Sequence, residues 1–101
     1  MKIILVCSTG MSSGELVKKM KRISDERNLD LDIKGVGYTC IINEVYGADM
    51  ILLGPQVKYL LRKVVEIAEP LEIPVEIIDH LTYGMRNAEK IIDFTINIIK
   101  K

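Results

Sequence analysis

Lys2-Ile3-Ile4-Leu5-Val6-Cys7-Ser8-Thr9-Gly10-Met11-Ser12-Ser13-Gly14-Glu15-Leu16 decides the reading of this chain. Its first six residues are a nearly continuous run of β-formers, the pattern of a central parallel strand buried on both faces. Ser-Thr-Gly stops that run. Ser12 and Glu15 then fit a capping box just ahead of Leu16, which opens a helix. Leu16, Met20 and Ile23 fall at i, i+4 and i+7, and Val17 widens the stripe. Lys18, Lys19, Lys21, Arg22, Asp25 and Glu26 fill much of the other face, and the pattern fades near Arg27-Asn28. The stretch is therefore strand, tight polar loop, helix.

The same alternation continues outward. Leu29 to Lys34 alternates apolar with Asp or Lys and predicts an outer strand with one wet side, ending at Gly35, Gly37 and Tyr38. Thr39 is placed to cap a short helix with Ile41, Ile42 and Val45 inward. Asp49 to Leu53 predicts a buried strand closed by Gly54-Pro55. Val57, Leu60, Leu61, Val64, Val65 and Ala68 form a helical stripe opened at Pro55 or Gln56 and ended by Glu69-Pro70. Pro74 to Asp79 predicts a fourth strand. Met85, Ala88, Ile91, Ile92, Thr95 and Ile99 mark a last helix. Strand and helix alternate four times without a repeat or linker, so residues 1–101 predict one domain of α/β class, a three-layer α/β/α sandwich on a four-stranded parallel sheet. Ligands of such sheets bind beyond the carboxyl ends of the strands. That edge gathers Cys7 to Ser13, Gly37 to Thr39, Gly54 to Gln56 and Asp79 to Tyr83.

Composition narrows the function. The chain has 101 residues, 49% of them hydrophobic and 28% charged, a globular profile. Fourteen Lys+Arg balance fourteen Asp+Glu, which argues against a nucleic-acid binder held by phosphate neutralisation. No stretch approaches the roughly 18 to 20 apolar residues that span a membrane. With only Cys7 and Cys40 and no secretory leader, the expectation is a cytoplasmic protein without a disulfide scaffold. One His and no CxxC spacing give no expectation of a metal, and no cofactor is expected.

The loop after the first strand carries the chemistry. Hydroxyl residues and glycines between a strand and a helix start let successive N–H groups turn inward as an anion nest, reinforced by the helix dipole. The same field favours a thiolate at Cys7. A thiolate beside a phosphate cradle suggests transfer of a phosphoryl group onto sulfur, with Cys7 as nucleophile and Ser8, Thr9, Gly10, Met11, Ser12, Ser13 and Gly14 around the phosphate. The Lys-Ser/Thr of a nucleotide P-loop is missing, and no G-x-G-x-x-G follows the strand. Low-molecular-weight tyrosine phosphatases carry Cys, five residues, then Arg; the arginine position here is Ser13. No aspartate is an obvious phosphatase general acid; Asp79, at the same sheet edge, is the nearest candidate. Two alternatives to a carrier are a phosphatase-like hydrolase and a non-catalytic domain that binds a phosphorylated protein.

Three motifs together resemble one family: Cys7-Ser8-Thr9-Gly10-Met11-Ser12-Ser13, Leu52-Leu53-Gly54-Pro55-Gln56-Val57, and Ile77-Ile78-Asp79-His80-Leu81-Thr82-Tyr83-Gly84. In this order and spacing they are similar to the IIB component of the bacterial phosphoenolpyruvate-dependent sugar phosphotransferase system, lactose/cellobiose (chitobiose) branch. The resemblance implies a sheet of order 2-1-3-4, in a fold like that of the low-molecular-weight phosphatases. It implies a phosphocysteine enzyme in sugar transport. Cys7 would accept phosphate from a phosphohistidine of a IIA component and pass it to a sugar, a β-linked disaccharide such as cellobiose, chitobiose or lactose, held by a IIC membrane transporter. The chain would then be a cytoplasmic monomer that meets the inner face of the membrane only through that transporter. Thr9 to Ser13 match the phosphate loop, and Tyr83 matches a tyrosine that faces it. Glu15 departs from the family, whose members usually carry an apolar residue there; a carboxylate suits the capping box but would also repel phosphate or tune partner choice. His80 reads chiefly as a surface residue and the Lys18 to Arg22 cluster as a solvated face; Gln56 is a lesser candidate for ordering the nearby loop, and Cys40, in an apolar segment, reads as structural.

Overall fold

The computed structural model describes residues 1–7 and 14–99. Strand β1 (Lys2–Cys7) lies between β2 (Asp32–Gly37) and β3 (Met50–Leu53), and β4 (Val75–Ile77) closes the sheet in the order β2-β1-β3-β4. All three pairings are parallel. β1 meets β2 with Ile3 opposite Ile33 and Cys7 opposite Gly37, and meets β3 with Ile3 opposite Met50 and Val6 opposite Leu53. The carboxyl ends of the strands thus share one edge, as βαβ connectivity requires.

The helices are α1 (Gly14–Glu26), α2 (Ile41–Glu44), α3 (Leu61–Ala68), α4 (His80–Gly84) and α5 (Ala88–Ile99). Alternation along β1 sorts the core into two halves. Ile3 and Leu5 join Leu16, Val17 and Met20 of α1, Ile91 and Ile92 of α5, and Tyr83. Ile4 and Val6 join Ile41, Val57, Leu60, Val64 and Ala68 on the opposite face. Residues 3–6 and 50–53 are wholly out of solvent, which is why both strands read as unbroken apolar runs. The three-layer sandwich and its strand order are those expected.

Boundaries differ in instructive places. β2 runs three residues later than the alternation at Leu29 to Lys34 suggests. Asn28 turns the chain at φ 55°, the Leu29 amide donates to the Ser24 carbonyl, and the buried Ser24 hydroxyl donates to the Leu29 carbonyl at 2.7 Å. Leu29 and Leu31 therefore pack on the core from a loop, and pairing with β1 begins at Asp32. The expected cap at Thr39 is not made: a 3-10 turn, Tyr38–Cys40, leads straight into α2. Ile41 and Val45 are buried as expected, but Ile42 is 60% exposed, because four helical residues can turn only one apolar position inward. Cys40 is exposed rather than structural. After β3, the proline-led stripe starts as a 3-10 segment, Pro55–Leu60, kinked at Val57, before α3 proper. The last helix is two: Met85, placed on the core stripe by its spacing, is 69% exposed at the end of α4, and α5 starts at Ala88. Exposed pairs Lys34–Glu44 (2.8 Å) and Arg27–Asp93 (2.6 Å) link β2 to α2 and the end of α1 to α5. Such surface pairs contribute little to stability.

Candidate active site

Four segments leave the carboxyl edge of the sheet, and the described residues there converge on the end of β1. Cys7 is the last residue of that strand and faces Gly37 across the ladder. On the other side the Gly54 amide donates to the Val6 carbonyl at 3.1 Å, so β3 continues its pairing one residue beyond its own end. Gly14 is the first residue of α1. Ser8, Thr9, Gly10, Met11, Ser12 and Ser13 lie outside the described residues, and with them the capping box. Glu15 projects into solvent and pairs with Lys19 at 3.8 Å, one turn along the helix.

Tyr83 and its neighbour Thr82 are buried at this edge. Tyr83 is only 2% exposed, and its ring lies against Gly54. A Cβ on Gly54 would stand 3.3 Å from Tyr83 Cε2 and 3.0 Å from Gln56 Oε1, so glycine here lets ring and strand end approach. The Tyr83 hydroxyl is buried without a hydrogen-bond partner among the described residues. An unpartnered buried hydroxyl is unfavourable to folding, commonly by about 1–3 kcal/mol, and marks a place where a ligand group can supply the missing acceptor.

A short helix places that ring. Asp79 caps α4: its carboxylate accepts the Thr82 amide at 2.9 Å and the Thr82 hydroxyl at 2.6 Å. The hydroxyl and amide of Thr82 hold the Asp79 carboxyl below its ordinary value, so it is ionised at neutral pH. Asp79 is thus an ionised helix cap, with each carboxylate oxygen engaged by Thr82, rather than a carboxyl held protonated as a general acid would be. His80 and Gln56 are exposed.

Arg86 was not singled out by the sequence. It follows α4 in the left-handed region, at φ 53°, a conformation costing a non-glycine residue about 1 kcal/mol. Its Nη1 donates to the Tyr83 carbonyl at 3.0 Å, and its Cζ lies 5.4 Å from the centre of the Tyr83 ring. Its Nε is buried with no acceptor among the described residues. No periodicity marks such a residue; the only signal is an arginine where a helix stop usually places Gly or Asn.

Among the described residues no three of His, Cys, Asp and Glu gather as a metal site, and no helix is long and apolar enough to cross a membrane. A groove between β4 and α5, lined by Ile77, Ile78, Asp79, Thr82, Lys90, Ile91 and Phe94, is mainly apolar and shares the Asp79–Thr82 cap with this edge.

With this geometry in place, the comparison with known proteins is direct. Residues 2–94 match the family model of the phosphotransferase-system (PTS) lactose/cellobiose-specific IIB subunit. The chain belongs to the PTS lactose/cellobiose-specific IIB family. It is 34% identical to the oligo-beta-mannoside-specific EIIB component of Bacillus subtilis (strain 168), over 97% of this chain and 95% of that protein. It is 31% identical to the cellobiose-specific EIIB component of Lactococcus lactis subsp. lactis (strain IL1403), over 96% and 94%. The solution structure of the cellobiose-specific IIB component from Borrelia burgdorferi superimposes with a TM-score of 0.82 at 34% identity, covering 99% of this chain and 92% of that one. The lactose-specific IIB domain from Streptococcus pneumoniae gives 0.86 at 19% identity, covering 96% and 95%, a likeness of fold.

Proposed function

We propose that this IIB-family protein carries a phosphoryl group on Cys7 between a IIA donor and a sugar held by a IIC transporter. The observation that carries the reading is the place of Cys7: the carboxyl end of the central strand, opposite Gly37 and one residue past the Val6 carbonyl that the Gly54 amide meets, with a buried tyrosine on Gly54 whose hydroxyl has no partner among the described residues. In the first step the Cys7 thiolate attacks the phosphorus of the donor's phosphohistidine; the S–P bond forms, the N–P bond breaks, and imidazole leaves. The amides of the loop from Ser8 to Gly14, with the Tyr83 hydroxyl, receive the phosphoryl oxygens. In the second step a sugar hydroxyl attacks the same phosphorus, its proton passes to a base on the transporter, and the thiolate leaves. Neither step asks this chain for a general acid, which suits an Asp79 that is ionised and engaged in capping.

Partner contact has a candidate surface. Ile42, Tyr59, Leu81 and Met85 are exposed on the segments that leave the carboxyl ends of β2, β3 and β4, around the end of β1. A donor protein and a transporter that both address Cys7 meet this rim. The relatives' names point to β-linked disaccharides or related sugars as cargo, and the selectivity belongs chiefly to the transporter.

The test is intact-mass analysis after incubation with the phosphorylated donor system. The expected result is a gain of one phosphoryl group that Cys7→Ser abolishes and Cys40→Ser leaves in place. Steady hydrolysis of a small aryl phosphate, with no accumulating phosphoprotein, would instead make it a phosphatase. Binding of the donor without a mass gain would make it a phosphoprotein-binding domain.

A further inference from the structure

Arg86 is arranged in a way that turn geometry alone does not ask for. Its backbone occupies the left-handed region, which glycine or asparagine enters with less strain. Its guanidinium folds back over the Tyr83 ring and ties itself to the Tyr83 carbonyl. Its Nε is buried, and among the described residues it has no acceptor and no carboxylate pairs with the side chain. The nearby Asp79 carboxylate is engaged by Thr82 instead. A cation is thus held, unneutralised by any described carboxylate, on the face of the one buried tyrosine beside the end of β1.

The charge bears on the tyrosine it covers. A cation on the face of a phenol ring draws electron density from the ring and its oxygen, so the hydroxyl becomes a better hydrogen-bond donor. The carbonyl bond and the stacking together hold the guanidinium against the ring that carries that hydroxyl. Tyr83 packs on Gly54, whose amide is bonded to the carbonyl of the residue before Cys7. We propose that Arg86 is a positioning residue for phosphoryl transfer: acting through Tyr83, it orients and strengthens the hydroxyl that meets the phosphoryl oxygens on Cys7. The inference rests on the Cys7 transfer reading and deepens it.

A double-mutant cycle on the full chain tests it, with the rate of Cys7 phosphorylation by the phosphohistidine donor as readout. Arg86→Met slows transfer about tenfold in the Tyr83 background and less than about twofold in the Tyr83→Phe background, because the hydroxyl through which it acts is gone. Arg86→Lys recovers part of the loss. The 31P resonance of the phosphocysteine moves on Arg86→Met. Arg86→Asn separates function from folding: asparagine accepts the left-handed backbone, so its Tm stays at or above wild type while transfer falls as in Arg86→Met. Equal slowing in the tyrosine and phenylalanine backgrounds overturns the proposal, as does an Arg86→Asn protein that transfers at the wild-type rate. A wild-type protein that gains no phosphoryl group on Cys7 sinks the transfer reading itself, and this inference with it.

Discussion

Replacing Tyr83 by phenylalanine removes one oxygen and little else. The ring keeps its contact with Gly54, and the change lies entirely within a side chain that is 2% exposed. In the native state that oxygen is stripped of water and has no partner among the described residues. In the unfolded chain it is fully hydrated. Leaving a buried hydroxyl unsatisfied costs about 1–3 kcal/mol, and the weaker hold of a phenylalanine face on the Arg86 cation returns a few tenths of that. Tyr83→Phe should therefore stabilise the protein by about 1 kcal/mol, which for a domain of this size raises Tm by roughly 4–6 °C. Thermal unfolding followed by circular dichroism, paired with urea unfolding at an unchanged m-value, measures it. Phosphorylation of Cys7 should slow in the same variant. A stabilised protein with impaired transfer is the signature of a residue kept for chemistry against folding. A Tyr83→Phe protein less stable than wild type by 1 kcal/mol or more would show that the hydroxyl is already satisfied in the resting state, and the argument for it as a waiting donor would fail.

Gly54→Ala tests the close approach of ring and strand: its Cβ meets Tyr83 Cε2 at 3.3 Å, and the buried ring must yield, so overpacking should cost about 1–2 kcal/mol in urea unfolding and slow transfer by displacing Tyr83. Ser24→Ala removes the hydroxyl that holds the Leu29 carbonyl at 2.7 Å and should cost about 1 kcal/mol by the same measurement, with transfer unchanged. Asp79→Asn tests the cap through pH. The folded-state pKa of Asp79 lies below its ordinary 3.8, so its stabilisation is fully present above 3.8 and is lost as pH falls through the depressed folded value. The Tm gap between wild type and Asp79→Asn should accordingly be constant from pH 5 to 7 and narrow below pH 3.8; a gap that widens on acidification would contradict the capping role.

The strands and long helices were legible because their signals are redundant. β1 and β3 are apolar at every position that the sheet buries from both sides, and α1 and α5 repeat their stripes over three turns or more. Short elements lack that redundancy. α4 has five residues, too few for a stripe, and its trace is Asp79 three residues before Thr82, a cap that reads equally well as the end of a strand. Leu29 and Leu31 alternate like a strand yet pack from a loop, since alternation reports burial and not pairing. Ile42 and Met85 fit helical spacing and are exposed, because an apolar residue on the rim of a site looks like a core residue in sequence. At the candidate site, Cys7 and Gly54 were legible as strand ends and Tyr83 through the family resemblance. Arg86 was invisible because its significance is conformational: a left-handed backbone and an unanswered Nε are properties of coordinates.

The wholly buried middle of β1 also fixes where Cys7 sits. Ile3 to Val6 alternate between two separate cores, so sliding the strand by one step would turn both inside out at once. Residue 7 is thereby clamped by the most expensive error the fold can make. Heat should leave the backbone of residue 7 in register until the whole molecule melts, so the end of the strand keeps one address for as long as there is a fold to hold it.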